Sequence, residues 1–316
     1  MSTAPASTPL PASRWAGPAC AILGVLGFSF KAILIKLAYK MHPLDAVTLL
    51  TLRMLYSVPF FCVMAWWVSR REGVVTLKRA QWWQLAWLGF IGYYLASLLD
   101  FMGLMYITAS LERLVLFLYP TIVVLLSALL LGNTITRRMV AALLLSYAGI
   151  VLVVVHDLSV SGNSAATLMG SGLVFASAVL YALYLVQAGD LIGRLGSLRF
   201  IAWAMLASAT FVFVQFALTR PWSALDVPTN VHILSLAMAI FSTVLPTWLI
   251  AESIRRMGAN AASLVGALGP VFTIGFGAMI LGEPLHLVQL AGAALVLTGV
   301  LLVTLKARTP AALAKP

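Results

Sequence analysis

The chain has 316 residues, 62% of them hydrophobic and only 9% charged, with a formal net charge of +11. Soluble domains carry about a quarter charged residues, and a mean hydropathy of +1.03 excludes a water-soluble globular core. The basic excess falls between apolar runs and no nucleic-acid-binding motif accompanies it, so it reads as a topology signal and not as a DNA or RNA footprint.

In chain order, residues 1–16 form a Ser/Thr/Pro/Ala-rich stretch without an early positive charge. They are expected to be a disordered cytoplasmic tail, not a secretory leader. A membrane-crossing helix needs about 20 apolar residues. Ten such runs follow, at about 17–38, 44–68, 84–106, 109–131, 138–155, 167–188, 198–218, 231–254, 258–281 and 286–305. Residues 306–316 are a second cytoplasmic tail. The alternation of a transmembrane β-barrel is absent. The fold class is an all-α integral membrane protein.

Lys and Arg in the connections set the sides. Fourteen fall on one side, including Arg70, Arg71, Arg137, Arg138, Arg255 and Arg256, against Lys40 and Arg220 on the other. This bias places both termini in the cytoplasm, with an even number of crossings, in a cell (inner) membrane.

Residues 109–155 and 259–305 align without a gap at an offset of 150, with 13 of 47 positions identical. The matches that carry weight are Pro120 with Pro270, Gly132 with Gly282, and Gly149 with Gly299. The chain is therefore two five-helix repeats, 17–155 and 167–305. Five is odd, so the second repeat is inverted. This is the design of secondary transporters, which hold a site between the halves.

At this point the sequence resembles the drug/metabolite transporter superfamily, and within it the EamA-type exporters. The resemblance rests on "FSFKAILIK" (28–36), "TLRML" (51–55), "ITASLERLVLFLYPTIVVLLSALLLGN" (107–133), "YALYLV" (181–186) and "GANAASLVGALGPVFTIGFGAMILGEPL" (258–285). It implies a ten-helix fold with a central cavity lined mainly by helices 1, 3, 4, 6, 8 and 9, and export of metabolites such as amino acids. The sequence departs from the family pattern at Phe28-Ser29, Lys31 and Gly132-Asn133. Family membership leaves the substrate open.

Charges inside a membrane are functional candidates by default. At about 1.5 Å per residue, Lys31 lies about 12 Å, Arg53 about 14 Å and Asp100 about 9 Å from the outer helix ends. They form either a structural pair or triad, such as Asp100 with Arg53, or a charged pocket for a polar solute or a proton. Glu112 and Arg113 lie about one turn below the outer interface, as a rim pair and candidate gate, with Arg113 able to snorkel. Lys36 is expected to snorkel as well. Glu252 has helix-neighbour spacing to Arg255 and Arg256, and Glu283 reads as a helix-junction cap.

Tyr94, Tyr181, Tyr184, Trp203 and Trp248 are candidates for stacking on an organic solute, or else packing groups. Ser242, Thr243, Pro246 and Thr247 interrupt helix 8 where backbone carbonyls would be freed. In helix 9, the small-residue rows through Gly266 and Pro270 suggest close helix approach or a smooth substrate-facing wall. Pro120, Gly149 and Gly299 are assigned to packing or hinges. Cys20 and Cys62 are read as small buried hydrophobes, and the four His residues form no catalytic or metal constellation.

The reading is an exporter of small organic metabolites working by alternating access between the cytoplasm and the outside. Its partners are the lipid bilayer, a small-molecule substrate and, as a coupling ion, protons. Neither a cofactor, a metal nor nucleic acid is expected, and oligomeric state is left open. A carrier of nucleotide-sugars or other phosphorylated compounds is the alternative within the class. A membrane-embedded enzyme is the alternative outside it.

Overall fold

The computed structural model describes residues 15–72, 77–132, 134–160 and 162–304. The two expected tails lie outside these residues, apart from the first helix residues, as does Asn133. The described residues are helical throughout and contain no strand. Ten apolar helices follow one another: α1 Ala16–Met41, α2 Ala46–Glu72, α3 Arg79–Gly103, α4 Ala109–Leu131 and α5 Arg137–Val160. The second half holds α6 Ser164–Leu195, α7 Ser197–Thr219, α8 Thr229–Met257, α9 with its apolar span at Ala261–Leu281, and α10 Leu287–Thr304. Nine are long and apolar enough to cross a bilayer, and α10 is a shorter tenth. The fold is therefore the all-α, ten-helix membrane architecture of two inverted five-helix repeats.

The repeat is visible in backbone detail that the residues do not share. Helix α3 passes into a π-helical stretch at Phe90–Leu95, closed by the Ala96 N–H donating to the Ile91 carbonyl. Helix α8 does the same at Ile240–Val244, closed by the Leu245 N–H donating to the Ile240 carbonyl. The two stretches stand 150 residues apart, yet position by position Phe90–Tyr94 differ from 240–244, and only Leu95 matches its counterpart, Leu245. Helix α4 breaks at Phe117-Leu118 and restarts with Pro120 in its first turn. Helix α9 breaks at the matching Ala267-Leu268 and restarts with Pro270. Gly132 and Gly282 end these helices with the same left-handed φ of 69°. A third π stretch, Gly277–Leu281, closes α9 alone.

The halves interleave. Helix α1 packs mainly on α8 and α9, its counterpart α6 packs mainly on α3 and α4, α2 lies along α7, and α5 lies along α10. Every major interface thus joins one half to the other. At the α5–α10 crossing the backbones touch. A Cβ on Gly149 would sit 2.7 Å from the Gly292 carbonyl oxygen, and one on Gly299 would sit 2.6 Å from that of Ala142. By contrast, a Cβ on Gly266 would meet nothing within 4 Å. Ala262 and Pro270 of the same row are buried, so the row is packed at its ends and open at Gly266, its middle. Cys62 is exposed on the bundle surface and Cys20 is half-buried, so neither is the core residue expected.

The helix ends that are poor in Lys and Arg, with Lys40 and Arg220 among them, form one face of the bundle, tied together by side chains. Asp45 caps α2 by accepting from the Val47 and Thr48 amides at 2.9 and 3.2 Å, and pairs with Arg220 at the end of α7 at 3.1 Å. Burial pushes the Asp45 carboxyl up, but the Thr48 hydroxyl and amide and the Arg220 guanidinium outweigh it and hold the group below its ordinary value of 3.8. A folded-state pKa below the unfolded one contributes stability above the unfolded pKa and loses it as the pH falls through the folded one.

Two outcomes follow. Gly149→Leu and Gly299→Leu each destabilise the protein by about 1–3 kcal/mol through overpacking, seen as a lower thermal midpoint in detergent, whereas Gly266→Ala leaves the midpoint unchanged. The stability advantage of the wild type over Asp45→Asn, followed by thermal unfolding against pH, shrinks as the pH drops below about 4.

Candidate functional site

Lys31 and Asp100 meet under the Arg-poor face, where α1 crosses α3. Lys31 Nζ donates to Asp100 Oδ2 at 2.7 Å, and the Asp100 side chain is 2% exposed. A buried carboxylate needs such a partner, because an unpaired one forfeits several kcal/mol of hydration. Arg53 is not that partner. Its guanidinium donates to Ser97 Oγ at 3.3 Å and lies over the Phe101 ring at 4.9 Å, one residue beyond Asp100. Lys31 takes the pairing because its flexible stem spans the α1–α3 gap, while Arg53 is held on the ring of α3 that faces α2.

Glu112 joins this pair. It is fully buried, and its charged neighbours are Asp100, Arg113 and Lys31. No N–H or hydroxyl among the described residues donates to its carboxyl oxygens, and its partner is the Asp100 carboxyl, within hydrogen-bonding reach when one of the two is protonated. The Arg113 Nε lies 4.0 Å from it. Arg113 does not snorkel to the rim. It reaches inward, donating to the Phe28 carbonyl of α1 at 2.6 Å and to Thr273 Oγ1 of α9 at 3.0 Å. Thr273 also donates to the Ser29 carbonyl at 3.2 Å, and Ser29 donates to the Gly269 carbonyl at 3.0 Å. The expected outer-rim pair is therefore part of one closed cluster, Lys31, Asp100, Glu112 and Arg113, at the seam between the halves. The sequence placed Glu112 by its distance from a helix end and could not see that α1 and α9 cover that end.

The cover is polar. Lys36 donates to the Leu104 and Ile107 carbonyls at 3.0 and 2.9 Å, so it closes the end of α3 and does not snorkel. Tyr39 donates to the Phe101 carbonyl and Lys40 to the Leu281 carbonyl, both at 3.0 Å. Glu283 is a cap, but of a helix in the other half. It accepts from the Ala109 and Ser110 amides and from Ser110 Oγ, at 2.7, 3.1 and 2.6 Å, at the start of α4.

A tyrosine cluster adjoins the charges. Tyr181 and Tyr184 stack at 5.6 Å on one face of α6. Tyr119 of α4 meets Tyr181 edge-on at 5.1 Å, and the Tyr93 and Tyr184 hydroxyls are 2.9 Å apart. Arg113 is the charged neighbour of Tyr119, which links the two clusters. Tyr119, Tyr93 and Thr273 were not singled out in the sequence, and Ser29 only as a departure from the family pattern; the Tyr119-Pro120 helix restart was the one signal for the first of them. The repeat makes the site asymmetric. The counterparts of Lys31, Asp100, Glu112 and Arg113 are Tyr181, Ile250, Ala262 and Ser263, so the shared backbone frame does not demand the charges.

Other candidates lie elsewhere. Tyr94 is buried between Phe90 and Phe211, as packing. Trp203 packs edge-on against Trp82, and Trp248 is exposed on the bundle surface. Ser242 and Thr243 sit in the π stretch just before Pro246, where Thr243 Oγ1 donates to the Met238 carbonyl at 3.1 Å and Thr247 Oγ1 to the Thr243 carbonyl at 2.6 Å. These hydroxyls give the Met238 and Thr243 carbonyls, beside the π stretch and Pro246, a side-chain donor. Glu252 pairs with Arg255 and Arg256 on its own helix. The described residues hold no cluster of three or more His, Cys, Asp or Glu that would bind a metal ion.

Two interleaved five-helix units of one design match the EamA-like transporter family twice, over residues 15–155 and 168–305. The chain belongs to the EamA-like transporter family. It is 31% identical over 289 residues to the uncharacterized transporter YcbK of Bacillus subtilis (strain 168), covering 88% of this chain and 89% of that one. It is also similar to an uncharacterized transporter of Archaeoglobus fulgidus, 25% identical over 285 residues, with 89% and 95% covered. A solved crystal structure shares the fold with a TM-score of 0.60 at 20% identity, over 93% of this chain and 98% of that one. This EamA-like protein is thus a multi-pass membrane transporter, and both its family and its relatives point away from an enzyme.

In this transporter, Lys31→Met leaves Asp100 buried without its partner and destabilises the fold by about 3–5 kcal/mol. Lys31→Met combined with Asp100→Leu recovers most of that loss. Thermal unfolding of the single and double variants measures the coupling.

Proposed function

We propose that this EamA-like transporter exports small amphoteric metabolites, amino acids above all, by alternating access coupled to protons. The observation that carries the reading is the buried cluster Lys31, Asp100, Glu112 and Arg113 at the seam between inverted halves. A zwitterion carries both signs, and so does this cluster. The partly open Tyr119 and Tyr181 beside it supply aromatic surface for an organic side chain. A phosphorylated solute would want cations in surplus. Here Lys31 is engaged by Asp100, and Arg113 by a carbonyl and a hydroxyl, which favours the amphoteric class.

Glu112 is the coupling residue in this proposal. It is titratable and buried, no N–H or hydroxyl among the described residues donates to either of its oxygens, and its carboxyl lies within hydrogen-bonding reach of Asp100, so that one proton can be held between the two. The groups around it are Lys31 from α1, Asp100 from α3 and Arg113 from α4, with Arg53 of α2 and Tyr39 of α1 as further neighbours of Asp100. Moving one proton changes the charge balance of this closed set and so the balance between its two access states. The excess of Lys and Arg on one face supports termini on the cytoplasmic side of the cell membrane.

The test is purified protein in liposomes with radiolabelled amino acids and nucleotide-sugars, with and without a pH gradient. Counterflow of at least one amino acid is expected, accelerated by the gradient. Glu112→Gln should keep counterflow and lose at least tenfold of the gradient-driven rate. Counterflow of nucleotide-sugars alone overturns the substrate class, and a gradient response that survives in Glu112→Gln overturns the coupling role.

A further inference from the structure

A cleft of about 210 Å³ opens on the Arg-poor face, away from the central cluster. Its lining includes Asp157, Gln289, Glu283, His286, Leu111 and Val160, and no Lys or Arg. Gln289 is the unexpected group. It is 4% exposed, in the first turn of α10, and its Nε2 donates to Asp157 Oδ1 of α5 at 3.2 Å. That bond fixes the amide, since a carboxylate accepts and cannot donate. The Gln289 Oε1 is buried beside the cleft that this residue lines, without a hydrogen-bond partner among the described residues. A buried unpaired carbonyl is costly, and a donor from a ligand removes that cost.

Glu283 is already engaged by the start of α4. The Asp157 carboxylate has room for more donors than the one Gln289 supplies. The site therefore offers a carboxylate and a neutral acceptor side by side, over the apolar Leu111 and Val160. A small anion finds no Lys or Arg in the lining, whose basic side chain is His286, in ring contact with His156. We infer that this cleft binds a primary ammonium group carrying a short apolar chain, with Asp157 neutralising the charge and Gln289 Oε1 taking one N–H. Such a group belongs to a soluble alkylamine or to an amine-bearing lipid headgroup. The site is distinct from the seam cluster, yet Leu111 and the Glu283 cap both belong to the α4 turn that carries Glu112. Occupancy therefore bears on the element that holds the proposed coupling residue.

The probe is ethylammonium chloride, titrated onto the full chain in nanodiscs of phosphatidylcholine and phosphatidylglycerol, which carry no primary amine in the choline lipid or the glycerol lipid. Thermal midpoint and direct calorimetry are read, against sodium chloride at equal ionic strength. A saturable rise in midpoint with measurable heat is expected in the wild type and in Glu112→Gln. A loss of at least tenfold in affinity is expected in Asp157→Asn and in Gln289→Leu. In nanodiscs containing phosphatidylethanolamine, abolished ethylammonium binding assigns the site to the headgroup, and retained binding assigns it to a soluble amine. The inference is overturned if the wild type shows no saturable binding, or if both variants bind as the wild type does. Because Glu112→Gln is expected to bind, failure of proton coupling leaves this result standing.

Discussion

In hydrocarbon there is no water to complete a hydrogen bond, so each backbone carbonyl at a helix end and each buried charge must find its partner inside the protein. That constraint organises the Arg-poor half of this bundle. Lys36, Tyr39 and Lys40, all on α1, spend their donors on the last carbonyls of α3 and α9. Glu283 spends both oxygens on the first amides of α4. In the middle of α8, hydroxyls of Thr243 and Thr247 take carbonyls near a π stretch and a proline. Polar residues that look functional in an apolar sequence are, in these places, the means by which broken helices stay in the membrane.

The seam cluster is where that economy stops being local. Arg113 holds the Phe28 carbonyl of one half and Thr273 of the other while standing beside Glu112. A change at Glu112 therefore acts on a side chain that bridges both halves. The interleaved packing carries such a change further, since α1 and α6 each lie against helices of the opposite repeat. Two π stretches at matching positions in α3 and α8 are softer points in otherwise regular helices, of the kind found where helices bend.

Much of this was legible in the sequence. Apolar run length gave ten helices, and a gap-free offset of 150 gave the repeat, because both are written along a single chain direction. What lies between helices was not. Asp100 pairs with Lys31 and not with Arg53 because of how α1, α2 and α3 are rotated, which hydropathy does not record. Glu112 was placed near the rim from its distance along α4, and its burial comes from α1 and α9 crossing over it. Gly149 and Gly299 stand out by their repeat match and lie where α5 and α10 touch, whereas Gly266 sits in a small-residue row whose neighbours Ala262 and Pro270 are buried while it meets nothing itself. The π stretches left no trace, since their residues differ between the halves.

That last difference has a historical meaning. A π stretch requires one extra residue in a helical turn, and it stands at the same offset in both halves in unlike sequences, as a feature inherited from one common unit would. The unit that carried it had five helices, and each of its copies here packs against the other: α2 on α7, α5 on α10. The present chain thus has the layout of an antiparallel homodimer whose two subunits have been spliced end to end. Splicing freed each copy to change alone, and one kept or gained Lys31, Asp100, Glu112 and Arg113 while the other placed Tyr181, Ile250, Ala262 and Ser263 at the same points. A symmetric pair could not have held charge on one side of its axis only.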